Sequence, residues 1–198
     1  LKVNNLVINE INKKYSHINW CFLSEEKSLQ INDNSKALYD WMWVLDPLDG
    51  TRDFIQNSGD YAMHLALNFK NKPILGIVLI PSREELWIAD GNNVWFENRD
   101  SYKQKTNFST EKNINNMTII TSKNHKNKEL EILINDIGFA SIKSMGSIGC
   151  KIASIMRGES DIYISLSLRD QSSPKDWDFA APDALLSLAG GRLTNIRN

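Results

Sequence analysis

The sequence predicts a layered fold between the α+β and α/β classes, in which two β-sheets pack with helices. Residues 41–97 contain strand-like stretches separated by hairpin turns, whereas from residue 117 onward strands alternate with helices. A meander followed by alternating elements is typical of two sheets packed with helices. The 198 residues, 41% hydrophobic and 24% charged, suit one domain or two small lobes and exclude disorder, collagen-like repeats and coiled coil.

The first half of the chain begins with helical periodicity, since Val3, Leu6, Val7, Ile11 and Tyr15 share one helix face. No capping residue and no initiator Met precede this run, so we expect the sequence to be an internal piece of a longer protein. The predicted strands are 18–23, 41–45, 61–69, 74–81, 84–89 and 94–97, with turns at 46–50, 71–73 and 90–91.

The second half begins after a polar segment, residues 98–116, which we expect to be a loop. It contains predicted strands at 117–121, 141–143 and 161–165 and predicted helices at 126–137, 147–156 and 179–189. We therefore expect an α+β lobe over 1–110 and an α/β lobe over 111–198.

Charge and cysteine content exclude several classes of partner. The sequence has 23 Lys and Arg residues and 24 Asp and Glu residues. The resulting net charge of −1 favours neither nucleic acid nor a membrane surface as a partner. Cys21 and Cys150 cannot build a disulfide framework, which favours a reducing compartment. The apolar runs are far shorter than the roughly 20 residues of a membrane helix. These observations predict a cytoplasmic domain.

The strongest chemical signal is the segment DPLDGT, from Asp46 to Thr51, directly after an apolar strand. Pro47 fixes its own φ and Gly50 permits backbone conformations closed to other residues, so the turn can direct Asp46, Asp49 and the Leu48 carbonyl toward one point. Carboxylate and carbonyl oxygens are the ligands that Mg²⁺ prefers. The alternative is an ordinary Asp-Gly turn whose aspartates cap backbone amides.

Two more acidic groups extend this pattern. Glu25 follows a predicted strand, where it could bind a metal. The alternative is that Glu25 and Glu26 are a pair of solvated surface residues. Asp178 precedes the predicted helix at 179, where it can serve as the N-cap, with Pro182 in the first turn. A metal ligand can also occupy that position.

A glycine-rich segment, GSIGCK from Gly146 to Lys151, enters a predicted helix and is suited to an anion. The alternative is a simple Ser147 cap with Lys151 in solvent. Lys151 could also lower the pKa of the Cys150 thiol. His64 lies on an alternating strand, where packing is favoured over catalysis.

These motifs together resemble the inositol-monophosphatase superfamily of Mg²⁺-dependent phosphatases. The segments SEE at 24–26, DPLDGT at 46–51 and WDFAA at 177–181 occur in the family order over the whole chain. The resemblance implies the layered αβαβα sandwich of the sugar phosphatases, cut at both ends. It also implies two or three Mg²⁺ ions, which would be bound by Glu25, Asp46, the Leu48 carbonyl, Asp49 and Asp178.

The resemblance extends to the substrate side. Thr51 and Asp49 would be catalytic, with Thr51 helping to orient the attacking water. The segment TSKNH at 121–125 and the GSIGCK segment resemble elements of 3′(2′),5′-bisphosphate nucleotidases of the CysQ type, although Lys123 and Asn124 stand where that type has Arg and Ser. The implied substrate-binding residues are Gly50, Thr51, Ser122, His125, Gly146, Ser147, Lys151 and Asp178.

The implied activity is therefore hydrolysis of a phosphate monoester, with 3′-phosphoadenosine 5′-phosphate as the leading substrate, by a monomer or homodimer. The alternatives are an inositol-phosphate or other sugar-phosphate phosphatase, or a truncated module that only binds metal or nucleotide. In the family, a segment just ahead of the first helix carries an aspartate that helps activate the water. That aspartate has no counterpart in this sequence, so we expect impaired turnover.

Overall fold

A computed structural model describes residues 1–26, 39–100, 103–105, 113–124, 127–166 and 174–195. Within these ranges the helices are α1 (Lys2–Lys14), α2 (Thr51–Ile55), α3 (Lys128–Ile137), α4 (Ile148–Met156) and α5 (Asp176–Leu188). The strands are β1 (Cys21–Ser24), β2 (Trp41–Asp49), β3 (Ala62–Phe69), β4 (Lys72–Ile80), β5 (Glu85–Ala89), β6 (Val94–Glu97), β7 (Lys103–Lys105), β8 (Thr118–Ser122), β9 (Ser141–Met145) and β10 (Ile162–Tyr163).

The strands form two sheets. The first has the order β1-β2-β3-β4-β5-β6-β7, in which β1 and β2 are parallel and the other neighbours are antiparallel. The second has the order β10-β8-β9 and is parallel. The two sheets follow the meander and the alternating region of the sequence.

Side-chain alternation along β2 separates the layers on either side of the first sheet. Trp43 and Leu45 pack in one cluster with Ile8 of α1, whereas Met42 and Val44 belong to the core shared with α4 and α5. Helix α4 contacts β3 and β4 on one side and β9 and β10 on the other.

On the far side of the second sheet, Ile119 of β8 packs against α3 through Leu130 and Ile134. The layers therefore run helix, sheet, helices, sheet, helix, which confirms the expected αβαβα arrangement. No described helix has both the length and the apolar character that crossing a membrane requires.

Several boundaries differ from the predictions. The turn expected at 71–73 lies one residue earlier, because Lys70 and Asn71 both have positive φ and form the two-residue connection that suits a hairpin. The polar segment 98–116 contains the short edge strand β7, which has no apolar alternation to mark it. The short helix α2 was not predicted either.

Candidate metal centre

The DPLDGT segment lies largely inside β2, which continues through Asp49 instead of ending at Leu45. Asp46 is the Cα partner of His64 on β3, and the register shifts before Asp49 pairs with Ala62. The predicted turn is therefore a strand irregularity that ends at Gly50, where φ is +85° and α2 follows.

Three carboxylates meet at this point. One oxygen each of Asp46, Asp49 and Asp178 lies within 4.8 Å of the other two. Asp46 extends the even-numbered face of β2 toward the middle helices and is buried. Asp178 arrives from α5, which packs against β2, β3 and β4. The sequence-predicted ligands from two distant motifs are thus brought together.

The raised pKa values of the clustered carboxyl groups indicate that their ionised forms would be stabilised by a cation. Burial, with the charges of Asp49 and Glu25, raises the pKa of Asp46 to about 9. The pKa of Asp178 is also raised, mainly by burial and then by Asp49. Three hard oxygen donors with unfavourable mutual repulsion suit a divalent cation such as Mg²⁺.

Glu25 lies at the edge of the same cluster. It follows β1, whose last residue Ser24 pairs with Leu45, so it stands beside the start of the DPLDGT segment. Glu25 is exposed, and its pKa is raised by partial burial and by the charges of Glu26 and Asp49, against a hydrogen bond with Asp46. A fourth acidic group is therefore available from the surface side.

The local hydrogen bonds support both interpretations of the DPLDGT segment. The Leu48 amide donates to Asp46 Oδ1 at 2.9 Å, which is the backbone capping expected of an ordinary turn. The Thr51 hydroxyl donates to the Leu48 carbonyl oxygen at 3.2 Å. Thr51 and the Leu48 carbonyl are thus in direct contact, and their roles at a metal site stay predictions.

The second carboxylate oxygen of Asp49 lies on the N-terminus of α4. Oδ2 accepts hydrogen bonds from Ser147 Oγ and Ile148 N, both at 2.6 Å, and from Gly149 N at 3.3 Å. Ser147 is also the N-cap, because its hydroxyl accepts from Cys150 N at 3.2 Å. The anion at this helix terminus is therefore the chain's own Asp49.

Lys151 does not lie in solvent, so that alternative was wrong. Its side chain is buried, Nζ donates to the Gly146 carbonyl at 2.5 Å, and Nζ lies 5.2 Å from the centre of the Tyr163 ring. Burial lowers its pKa, with Asp49 opposing that shift. Lys151 thus carries a desolvated amine behind the α4 N-terminus.

Sequence reasoning missed Asp53, which binds two residues of the TSKNH segment. Asp53 is fully buried and accepts from Ser58 Oγ at 2.6 Å, Lys123 Nζ at 3.0 Å and Asn124 Nδ2 at 2.5 Å. Burial alone would raise its pKa, but these three donors lower it. Gly146 lies against the same carboxylate. The only sequence signal was an acidic residue two positions after the motif.

Ser122 lines a cavity of about 460 Å³ between β8, β9 and α3. It shares this cavity with Lys123 from the same segment and with Asn127, which caps α3. His125 lies outside the described residues.

Asp178 is not the N-cap of its helix. Helix α5 begins three residues earlier than predicted, Lys175 is the N-cap, and Asp178 Oδ2 accepts from the Lys175 amide at 2.6 Å. Pro182 accordingly lies inside the helix and not in its first turn. The Asp-Trp-Asp sequence supplies acidic residues for the first turn, which favours the earlier start.

Lys151 does not lower the pKa of Cys150 below its ordinary value. Burial raises the pKa of this thiol to about 12, and the nearby charges of Asp49 and Asp60 raise it further. Lys151 acts in the opposite direction but contributes less.

The comparisons with known proteins agree with this geometry. The model of the inositol monophosphatase family matches residues 1–198. The 3′(2′),5′-bisphosphate nucleotidase CysQ of Buchnera aphidicola is 30% identical over 86% of this chain and 60% of its own length. The Nus factor SuhB of Salmonella typhimurium is 27% identical over 96% of this chain and 68% of its own. The chain thus spans about 60% of the length of the CysQ relative.

Solved structures share the fold. CysQ from Bacteroides thetaiotaomicron has a TM-score of 0.75 at 23% identity, covering 92% of this chain and 71% of its own. A dual specific IMPase/NADP phosphatase bound with D-inositol-1-phosphate has a TM-score of 0.77 at 20% identity. The match covers 96% of this chain and 68% of the phosphatase chain. The solved structures share the fold and the family model matches the whole sequence, so the chain belongs to the inositol monophosphatase family, within which it is similar to CysQ.

Proposed function

We propose that this protein is an Mg²⁺-dependent phosphate monoester hydrolase. The observation that carries the proposal is the convergence of Asp46, Asp49 and Asp178 within 4.8 Å, with Asp49 held by the α4 N-terminus. Mg²⁺ bound there would supply a nucleophilic water at neutral pH and neutralise phosphate charge.

The residues of the chain have distinct roles in this proposal. Asp46, Asp49 and Asp178, with Glu25 and the Leu48 carbonyl, hold the cation. The Thr51 hydroxyl orients the attacking water, and the Gly50 and Thr51 amides bind phosphate oxygens. Because the metal ligands belong to β2 and α5, which are packed elements, they are held in place before substrate arrives.

For the substrate we propose a 3′(2′),5′-bisphosphate nucleotide, with 3′-phosphoadenosine 5′-phosphate as the first compound to test. The CysQ relatives support this choice, as does the cavity that Ser122 lines. Ser122 and His125 would hold the nucleotide side of the substrate, and Lys151, whose Nζ donates to the Gly146 carbonyl, would position the GSIGCK backbone.

A specific observation favours a second candidate, an inositol or other sugar phosphate. Lys123, which stands in place of the arginine of the CysQ type, is paired with Asp53 at 3.0 Å. Its charge is therefore already partly neutralised, and a second phosphate gains less from it.

The test is phosphate release by the purified protein from 3′-phosphoadenosine 5′-phosphate and from inositol 1-phosphate, each with Mg²⁺ and with EDTA. Mg²⁺-dependent release with higher kcat/KM for the nucleotide supports the proposal. Higher kcat/KM for inositol 1-phosphate supports the second candidate. No release from either substrate with Mg²⁺ favours the remaining alternative, a module that only binds metal or nucleotide.

The Lys151→Met variant separates the two substrates further. Loss of one charge-assisted hydrogen bond corresponds to roughly a tenfold to hundredfold loss of affinity. We expect KM to rise more for the nucleotide than for the sugar phosphate, whereas Lys143→Met, which removes an amine from exposed β9, should change neither. Equal effects on both substrates would argue for a general phosphate role of Lys151.

A further inference from the structure

His64 is a buried titratable residue that the proposed function does not use. It lies on β3 as the Cα partner of Asp46, and its side chain is 1% exposed. Its Nε2 lies 3.3 Å from Asp49 Oδ2. Within the part of the chain that the structure describes, neither ring nitrogen reaches good hydrogen-bond geometry, although the backbone of Trp177 also lies beside the ring.

The imidazole occupies space that the first turn of α4 leaves open. A Cβ atom at Gly149 would stand 2.3 Å from His64 Nε2 and 3.0 Å from Cδ2. Only glycine therefore lets the helix N-terminus, the ring and the Asp49 carboxylate come together.

Packing alone does not account for a histidine at this position. The neighbours on the same face of β3, Ala62 and Ala66, are apolar members of the core. A buried polar group without a hydrogen bond is destabilising, so an apolar side chain would be the more stable choice for the layer. The polar ring is instead placed against one specific carboxylate oxygen.

That oxygen already has three donors around it: Ser147 Oγ, Ile148 N and Gly149 N. His64 Nε2 adds a fourth polar atom, from a different sheet strand. Among the described residues, the hydrogen bonds to the Asp49 carboxylate fall on Oδ2, and the other oxygen, Oδ1, can bind a cation.

We propose that His64 is a positioning residue that restrains Asp49 Oδ2 against the α4 N-terminus, so that Oδ1 is presented to the metal. The inference rests on the proposed Mg²⁺-dependent function. It concerns the geometry of Asp49 and assigns His64 no direct contact with substrate.

The test is calorimetric titration of MgCl₂ into the metal-free protein, with wild type, His64→Phe and His64→Gln. Loss of a residue that orients a metal ligand typically weakens metal affinity by about 10–100-fold. We expect that loss for His64→Phe, which keeps a ring without an N–H. His64→Gln, which retains an N–H donor, should recover most of the affinity. Gly149→Ala should weaken Mg²⁺ binding as well, by displacing the ring.

Asn68→Leu is the matched control. Asn68 is another buried polar residue on β3 whose Oδ1 lacks a hydrogen-bond partner, but it lies beside Met42 and Pro73, toward the opposite end of the strand from His64. Its replacement should alter the thermal midpoint without altering Mg²⁺ affinity.

Three outcomes overturn the inference. If His64→Phe is folded by circular dichroism and binds Mg²⁺ as tightly as wild type, His64 does not position Asp49. If His64→Phe fails to fold, unchanged Mg²⁺ affinity in Gly149→Ala leads to the same conclusion. If the wild type itself binds no Mg²⁺, the proposed function fails and this inference fails with it.

Discussion

The Asp46 side chain has a structural role in its own strand and a proposed role as a metal ligand. Its Oδ1 accepts from the Leu48 amide at 2.9 Å, which stabilises the strand irregularity. The same carboxylate is buried beside Asp49 and Asp178, which is unfavourable without a cation. An asparagine at this position preserves the first contact and removes the charge needed for the second role.

We therefore expect Asp46→Asn to lose Mg²⁺-dependent phosphate release by at least about 100-fold while keeping its fold, since the amide oxygen still accepts from Leu48 but binds Mg²⁺ weakly. Phosphate release and circular dichroism check the two parts. The control is Asp90→Asn, a carboxylate that accepts from the Asn92 and Asn93 amides in an exposed turn. Wild-type turnover and Mg²⁺ affinity in Asp46→Asn would refute the site assignment.

Cys150 illustrates how a neighbouring amine can be outweighed by burial. A pKa of about 12, against an ordinary 9, leaves about a thousandfold less thiolate near neutral pH. We expect Cys150, in a Cys21→Ala background, to resist iodoacetamide at pH 8 until urea unfolds the protein. Mass spectrometry measures the labelling, and rapid labelling of the folded protein would contradict the burial argument.

At the scale of the element, α4 is anchored at both ends by charged groups. Its N-terminus binds the Asp49 carboxylate. At its C-terminus the Arg157 guanidinium contacts Glu85 of β5 at 2.7 Å and Glu159 at 2.7 and 3.1 Å. These two sets of contacts therefore fix the position of α4 along its own axis.

Replacing Arg157 by Leu should lower the free energy of unfolding by about 2–3 kcal/mol, because Glu85 and Glu159 would remain half-buried without their partner. Urea denaturation measures this change. Arg99→Leu provides the contrast: its ion pair with Glu84 has a similar distance, 3.1 Å, but is largely exposed, so no measurable change is expected. A similar effect of both substitutions would show that burial does not set the strength of these pairs.

The elements also show what the sequence can reveal. The apolar stretches of β2 and β3 predict the two strands, and the glycine-rich segment predicts the start of α4. The occupant of the α4 N-terminus was not predictable, because Asp49 and Ser147 are 98 positions apart and only the layer packing joins them. Asp53 was missed for the same reason: its partners Lys123 and Asn124 come from the other sheet.

At the scale of the whole molecule, the cluster of carboxylates that suits a metal ion destabilises the folded protein when no metal is bound. Burial and mutual repulsion raise the pKa values of Glu25, Asp46 and Asp178 together. For an acid whose folded pKa exceeds its unfolded value, the unfolded chain loses its proton first. The free energy of unfolding without metal should therefore fall as the pH rises toward the folded pKa, which for Asp46 is about 9.

Other groups titrate in the same protein, so the prediction is stated as a difference between two variants. Asp46→Asn retains every other ionisable group, including His64 and Lys151, whose pKa values are lowered by burial. Without metal, between pH 6 and 8.5, the thermal midpoint of wild type should fall relative to that of Asp46→Asn. The free energy of unfolding of wild type should fall relative to that of Asp46→Asn by up to about 1.4 kcal/mol per pH unit. For a chain of this size, this corresponds to a fall in the thermal midpoint of roughly 3 °C per pH unit.

Mg²⁺ should reverse that trend in wild type, because a cation stabilises the ionised carboxylates that burial destabilises. The rise in midpoint on adding Mg²⁺ should be larger at pH 8.5 than at pH 6 in wild type and nearly absent in Asp46→Asn. Thermal unfolding in EDTA and in MgCl₂ at the two pH values measures both quantities. If wild type and Asp46→Asn shift in parallel under all four conditions, the Asp46 carboxylate is neither strained without metal nor a ligand with it.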